Sequence, residues 1–191
     1  MRIGIFGGSF DPIHSGHAMI ANYASQWETL DEVWLMVSPQ NPFKDDGSLS
    51  SEEVRCEMAE IVAAECRNVR VSRFEQHLPK PSYTYRTLTM LREKYPKHTF
   101  ILIIGSDNWI EFDRWRNCDE IAAEFEILIY PRPGYEIDDS SLPGTVSVMR
   151  NAPQALISST FIRQSVKEGK NVNFFVPAGV YDYIRRNNLY Q

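Results

Sequence analysis

Several things are scarce in this chain of 191 residues, and each shortage removes a class of function. Basic residues number 20 against 25 acidic ones, so the formal net charge is −5 and the pI is near 5.4, which argues against a general affinity for nucleic acid or an anionic membrane surface. Any phosphate must be held by a local arrangement of donors. Cysteine is limited to Cys56, Cys66 and Cys118, an odd number at wide spacing, which fits reduced thiols better than a disulfide framework or a zinc motif. Histidine is limited to His14, His17, His77 and His98, and no ligand-spaced set with cysteine or carboxylate surrounds them, so no residue is assigned to a metal. No apolar run reaches membrane-spanning length, and Met1-Arg2-Ile3-Gly4 leads into a strand rather than the apolar stretch of a signal peptide, so the expected compartment is the cytoplasm. Internal repeats and low-complexity tracts are absent too. With 43% hydrophobic residues, the span 1–191 has enough material for a single domain with a sizeable core.

What the chain does have is Gly7-Gly8-Ser9-Phe10-Asp11-Pro12-Ile13-His14-Ser15-Gly16-His17, directly after Arg2-Ile3-Gly4-Ile5-Phe6. The apolar run reads as a buried strand, the glycines as a tight turn that lets backbone approach a ligand, and Gly16 as room for a group packed on a helix start. His14 and His17 fall on one face of a first helical turn, beside unpaired backbone N–H groups and the positive end of the helix dipole. That geometry suits an anion. A Walker phosphate loop would end in Gly-Lys-Ser/Thr, and a dinucleotide fingerprint would read G-x-G-x-x-G; the run is neither. The plainer alternative is a pair of histidines that only cap and pack.

Six β-like runs alternate with helical patterns: Arg2 to Phe6, Glu32 to Ser38, Val69 to Arg73, Thr99 to Gly105, Phe125 to Tyr130 and Thr145 to Met149. Most are apolar on both faces, as parallel strands covered by helices must be. The expected fold class is therefore α/β, a doubly wound, mostly parallel sheet with helices on both faces. Helices are expected from Ser51 to Glu65, with Ser50 and Glu53 as a capping box, from Thr84 to Lys94, and from Pro177 to Asn187 with Pro177 as the first helical residue. The stretch Pro131 to Pro143 reads as a surface loop. In such sheets ligands bind beyond the carboxyl ends of the strands, and the loops after all six runs fall on that edge.

Two more of those loops carry chemistry. Ile157-Ser158-Ser159-Thr160-Phe161-Ile162-Arg163 reads as a second helix start, with hydroxyls to cap or donate and a guanidinium that can meet phosphate oxygens bidentately. Lys44 offers a mobile cation from the loop after the second strand. Asp107, in Gly105-Ser106-Asp107-Asn108-Trp109, reads either as an acceptor for a ribose hydroxyl or as a helix N-cap. Trp109 and Trp115 offer a plane on which an aromatic ring could stack, and one of them is expected in the core.

The segments His14-Ser15-Gly16-His17 and Ile157 to Arg163 resemble the H-x-G-H and I-S-S-T-x-I-R signatures of the nucleotidylyltransferase superfamily. Pro81-Ser82-Tyr83-Thr84, Gly105-Ser106-Asp107 with Trp115 beyond it, and Arg132-Pro133-Gly134-Tyr135 narrow the resemblance to the bacterial nicotinate-nucleotide adenylyltransferases, over essentially the whole chain. The resemblance implies a Rossmann-like nucleotidylyltransferase fold and transfer of the adenylyl group of Mg-ATP to nicotinate mononucleotide, giving deamido-NAD and pyrophosphate without a covalent enzyme intermediate. It implies catalytic roles for His14, His17 and Arg163, and ATP contacts from Gly7, Gly8, Ser9, Phe10, Gly105, Asp107, Ser158 and Ser159. It also implies acceptor contacts from Tyr83, Thr84, Trp115 and Lys44, with Trp115 stacked on the pyridine ring and backbone N–H groups near Tyr83 and Thr84 selecting acid over amide. Mg²⁺ is expected mainly on the ATP phosphates and water, without a carboxylate cage. ATP and nicotinate mononucleotide are the implied partners, and a homo-oligomer is left open. Phe43 stands where the family commonly has His before the Lys, in a shorter loop, and Arg86 stands where an acidic residue is frequent. The rival readings are adenylyl transfer to nicotinamide mononucleotide or phosphopantetheine, and a non-catalytic adenine-nucleotide sensor on the same fold.

Overall fold

The computed structural model describes residues 1–39 and 49–191; Lys44 and Phe43 lie outside the described residues. Six strands form one sheet: β1 (Arg2–Gly8), β2 (Glu32–Val37), β3 (Val69–Ser72), β4 (Thr99–Gly105), β5 (Glu126–Tyr130) and β6 (Val146–Val148). Their order is β3-β2-β1-β4-β5-β6, and every adjacent pair is parallel. The helices are α1 (Ser15–Trp27), α2 (Glu52–Glu65), α3 (Thr84–Lys94), α4 (Ser106–Ile110), α5 (Cys118–Glu124), α6 (Ser159–Lys167) and α7 (Ala178–Arg186). None is long and apolar enough to cross a membrane, among the described residues.

Alternation along the strands divides the core in two. Ile101 and Ile103 of β4 pack with Leu35, Ala21, Met58, Val62, Ile162 and Val180, so α1, α2, α6 and α7 cover one face. Their neighbours Leu102 and Ile104 pack with Ile3, Ile5, Leu88, Leu91, Ile121 and Ile127, so α3 and α5 cover the other. The order reverses between β1 and β4, and their carboxyl ends part there to leave a crevice.

The residue-level expectations need several corrections. Gly7 and Gly8 continue β1, paired with Met36 and Val37, and the chain turns only at Phe10, which takes a left-handed φ of 49°. Ser51, not Ser50, caps α2, its Oγ accepting from the Val54 N–H at 3.3 Å; the Ser50 N–H donates to Asp11 Oδ2 and Glu53 pairs with Arg73 at 2.6 Å, so no capping box closes between Ser50 and Glu53. Pro177 is the N-cap of α7 rather than its first helical residue. Strands β2, β3, β5 and β6 are one or two residues shorter than expected, although Ser38, Thr145 and Met149 still bond to the neighbouring strand just past the ends.

Candidate active site

Strand β1 delivers the Gly7 to His17 run to the reversal point. His14 is the N-cap of α1: its Nδ1 accepts from the His17 backbone N–H at 3.4 Å, and His17 Nδ1 accepts from the His14 N–H at 3.3 Å. The two imidazoles stack with centroids 3.7 Å apart and planes at 21°. With Nδ1 accepting in both, each neutral ring carries its proton on Nε2 and is a donor on that side. Burial, and after it the Arg132 cation, push the His14 imidazole down to about 4, so His14 is uncharged at neutral pH. Gly16 is the space for that ring, because a Cβ there would lie 3.2 Å from the His14 Cε1 and Nδ1. Phe10 is buried and meets His17 edge-on at 5.1 Å, which fixes the outer ring from behind.

Helix α6 reaches the same loop from the other side. Ser158 caps it by accepting from the Phe161 N–H at 3.1 Å, and Ser159 Oγ donates to the Pro12 carbonyl at 3.0 Å. Arg163, one turn in, donates from Nη1 to the Asp11 carbonyl at 2.7 Å. Two sequence-distant segments are thereby bolted together, and the cationic group sits beside the α1 start. The Ser158 hydroxyl accepts as a cap and keeps its own proton to donate, whereas the Ser159 hydroxyl spends its proton on the loop and could meet an anion only through its backbone N–H or another rotamer.

The crevice between β1 and β4 is a cleft of about 430 Å³ lined by Gly7, Gly8, Tyr83, Thr84, Gly105 and Trp115, among others. That size suits a nucleotide-sized ligand. Tyr83 is the N-cap of α3 and supplies no side-chain cap, so the first-turn N–H groups are left for other partners. Trp115 is among the residues that line this cleft and Trp109 is not; both are half-buried and pack on Phe112, with ring centroids 5.5 and 5.0 Å from it, so neither is a core residue. Asp107 is not an N-cap; Gly105 holds that position and Asp107 lies in the first turn of α4, its Oδ2 accepting from Arg132 Nη1 at 3.0 Å. A Cβ on Gly105 would stand 2.2 Å from Asp107 Oδ1, so glycine is what lets the carboxylate fold back over the strand end.

Among the described residues no group of three or more histidine, cysteine or carboxylate side chains converges to hold a metal. The three cysteines are free.

Residues 5–165 match the cytidylyltransferase-like family. The protein named probable nicotinate-nucleotide adenylyltransferase in Bacteroides thetaiotaomicron is 49% identical over 185 residues, covering 97% of this chain and 91% of its own, and the protein of the same name in Bacteroides fragilis is 49% identical over 183 residues, covering 96% and 90%. The chain belongs to the nicotinate-nucleotide adenylyltransferase family. It is an enzyme, a nucleotidyltransferase. The Plasmodium falciparum nicotinic acid mononucleotide adenylyltransferase complexed with NaAD superposes with a TM-score of 0.83 at 25% identity, covering 99% of this chain and 97% of that one.

Three side chains of this adenylyltransferase site escaped the sequence reading. Arg132 pairs with Asp107, donates to the Tyr130 hydroxyl at 2.7 Å and depresses the His14 pKa. Arg55 is almost fully buried and clamps three backbone carbonyls, those of Ser9 at 2.7 Å, Ser38 at 2.8 Å and Ser50 at 3.1 Å, which joins the ends of β1 and β2 to the start of α2. Asp11, also buried, accepts from Tyr190 at 2.7 Å and from the Ser50 N–H. Of these, only Arg132 carried a sequence signal, its place in Arg132-Pro133-Gly134-Tyr135; the other two are single charges whose partners are far along the chain.

Proposed function

We propose that this protein transfers the adenylyl group of Mg-ATP to the 5′-phosphate of nicotinate mononucleotide, releasing pyrophosphate and forming deamido-NAD in NAD biosynthesis. The observation that carries the reading is the juxtaposition of the stacked His14–His17 pair with Arg163 of α6, which bonds to the Asp11 carbonyl, and the Tyr130 wall that the histidine pocket shares with the cleft lined by Tyr83, Thr84 and Trp115. The family membership supplies the substrate pair, and the relative complexed with NaAD supports a dinucleotide product.

The acceptor phosphate is already a nucleophile, so no covalent enzyme intermediate is needed and catalysis consists of alignment and charge stabilisation. In this reading the Nε2–H groups of His14 and His17 donate to ATP phosphate oxygens as charge builds on the transferred group. The neutrality of His14 suits that role, since a buried neutral donor needs no counter-ion. Arg163, with Ser158 and Ser159 at the α6 start, takes the β- and γ-phosphates that leave as pyrophosphate. Backbone of Gly7, Gly8, Ser9 and Phe10 runs along the nucleotide; a Cβ on Gly7 would meet nothing within 4 Å, so that strand end is open to a ligand. Gly105 and Asp107 take the ribose side. Trp115 stacks on the pyridine ring, and the N–H groups at Tyr83 and Thr84 receive its carboxylate. Lys44 is the acceptor-side cation in this scheme.

The donors fit Mg²⁺ carried by phosphate and water rather than by a protein cage. Both oxygens of Asp11 are engaged by Tyr190 and Ser50, Asp107 is paired with Arg132, and what remains is imidazole, hydroxyl and guanidinium suited to phosphate. When bound, the ion supplies neutralisation of triphosphate charge.

Pyrophosphate release from Mg-ATP, followed side by side with nicotinate mononucleotide, nicotinamide mononucleotide and phosphopantetheine, tests the assignment. The nicotinate compound is expected to give the largest kcat/KM; a larger value for either rival, or release with none, contradicts it.

A further inference from the structure

The segment after α7 returns to the active-site loop. Asn188 and Tyr190 both adopt left-handed φ, 50° and 65°, and the Leu189 N–H closes on the Ile184 carbonyl at 3.1 Å. This fold-back buries much of the Tyr190 ring and brings its hydroxyl 2.7 Å from Asp11 Oδ1. Burial and the adjacent Asp11 carboxylate raise the Tyr190 pKa, so the hydroxyl keeps its proton and donates it. Asp11 itself is 1% exposed, and its second oxygen accepts from Ser50. The carbonyl of this same residue holds Arg163 at 2.7 Å.

One residue therefore joins Tyr190, through its side chain, to Arg163, through its backbone. We propose that Tyr190 is a positioning residue for polyphosphate binding: by satisfying the buried Asp11 carboxylate it keeps Arg163 on the Asp11 carbonyl and aimed at the ligand. The physical reason is competition for a charge. A buried carboxylate stripped of a donor takes another, and the Arg163 guanidinium is a cation already bonded to the same residue, whereas Arg55 is held by the carbonyls of Ser9, Ser38 and Ser50. Without the phenol, Arg163 is drawn onto the Asp11 side chain and away from phosphate. The proposal rests on the reading of Arg163 as a polyphosphate ligand, but it does not depend on which acceptor the enzyme uses.

The test is equilibrium binding of ATP and AMP to wild type, Tyr190→Phe, Arg163→Ala and the double variant, with melting temperatures recorded to show that each is folded. Loss of a charge-assisted hydrogen bond corresponds to about tenfold. Tyr190→Phe is expected to weaken ATP by about tenfold, to leave AMP unchanged, and to add nothing in the Arg163→Ala background. Unchanged ATP affinity, equal weakening of AMP, or a full additional loss without Arg163 overturns the proposal. If Tyr190→Phe does not fold, Tyr190→Leu, which also removes the phenol, is read the same way: about tenfold weaker ATP with AMP unchanged is expected, and unchanged ATP affinity overturns the proposal. Wild type that binds ATP in this pattern but turns over no acceptor refutes the proposed reaction and leaves the role of Tyr190 standing.

Discussion

At the residue scale, the stacked histidines are best understood by their charge state. His14 has a folded-state pKa pushed from 6.5 to about 4, so between those values the unfolded chain binds a proton that the folded one refuses. Stability attributable to His14 is therefore fully present above pH 6.5 and is lost as pH falls toward 4, by about 3 kcal/mol in all. Denaturant titrations of wild type and His14→Gln at several pH values check this: the stability difference should shift against wild type as pH drops through that window. A difference independent of pH contradicts the neutral, buried His14. Trp115 belongs to this scale too. Its replacement by Ala removes a stacking surface worth about 1–3 kcal/mol, so KM for the nicotinate acceptor should rise about tenfold with KM for ATP nearly constant. Equal losses for both substrates would argue against Trp115 as the pyridine platform. His14 was legible in the sequence because it sits in a short motif just past a strand end; the residues alone left Trp109 and Trp115 open, and it was the family resemblance that singled out Trp115. The bond partners of Asp107 were not legible, since Arg132 arrives from the loop after β5 and no spacing along the chain announces an ion pair between that loop and α4.

At the scale of elements, the alternation of apolar runs and helical patterns was enough to read the sheet, because a strand buried on both faces has to be apolar throughout. Thr99–Gly105 and Thr84–Lys94 were read without error. What the pattern could not contain is where a cap falls when its neighbour is already committed. Ser50 and Ser51 are chemically equivalent N-caps; in the fold the Ser51 hydroxyl takes the cap while the Ser50 N–H is bonded to Asp11, a residue from another loop that no local pattern brings in. Arg55 makes the same point more strongly. From the sequence it is one charged position on an amphipathic helix, and in the fold it is the buried clamp of three loops. Arg55→Leu leaves the carbonyls of Ser9, Ser38 and Ser50 without that donor, and with about 1–3 kcal/mol for each buried acceptor left unpaired the loss of stability is expected to be about 3 kcal/mol or more. Chemical denaturation measures it; a change below about 1 kcal/mol would show that water replaces the guanidinium at little cost.

At the scale of the molecule, the six parallel strands put every motif-bearing loop described on one edge, and the reversal between β1 and β4 opens the cleft beneath them. The histidine loop and the α6 start are separated by about three quarters of the chain, yet Ser159 and Arg163 bond directly to Pro12 and Asp11. The chemistry assigned to the protein depends on that meeting. Single-turnover formation of deamido-NAD from Mg-ATP and nicotinate mononucleotide, by wild type and by His17→Ala, tests it most directly. The account predicts one pyrophosphate per dinucleotide and a rate lowered by about 10²–10³ in the variant, the usual effect of removing one preorganised transition-state donor. A variant that forms dinucleotide at the wild-type rate, or a wild type that forms none, contradicts it.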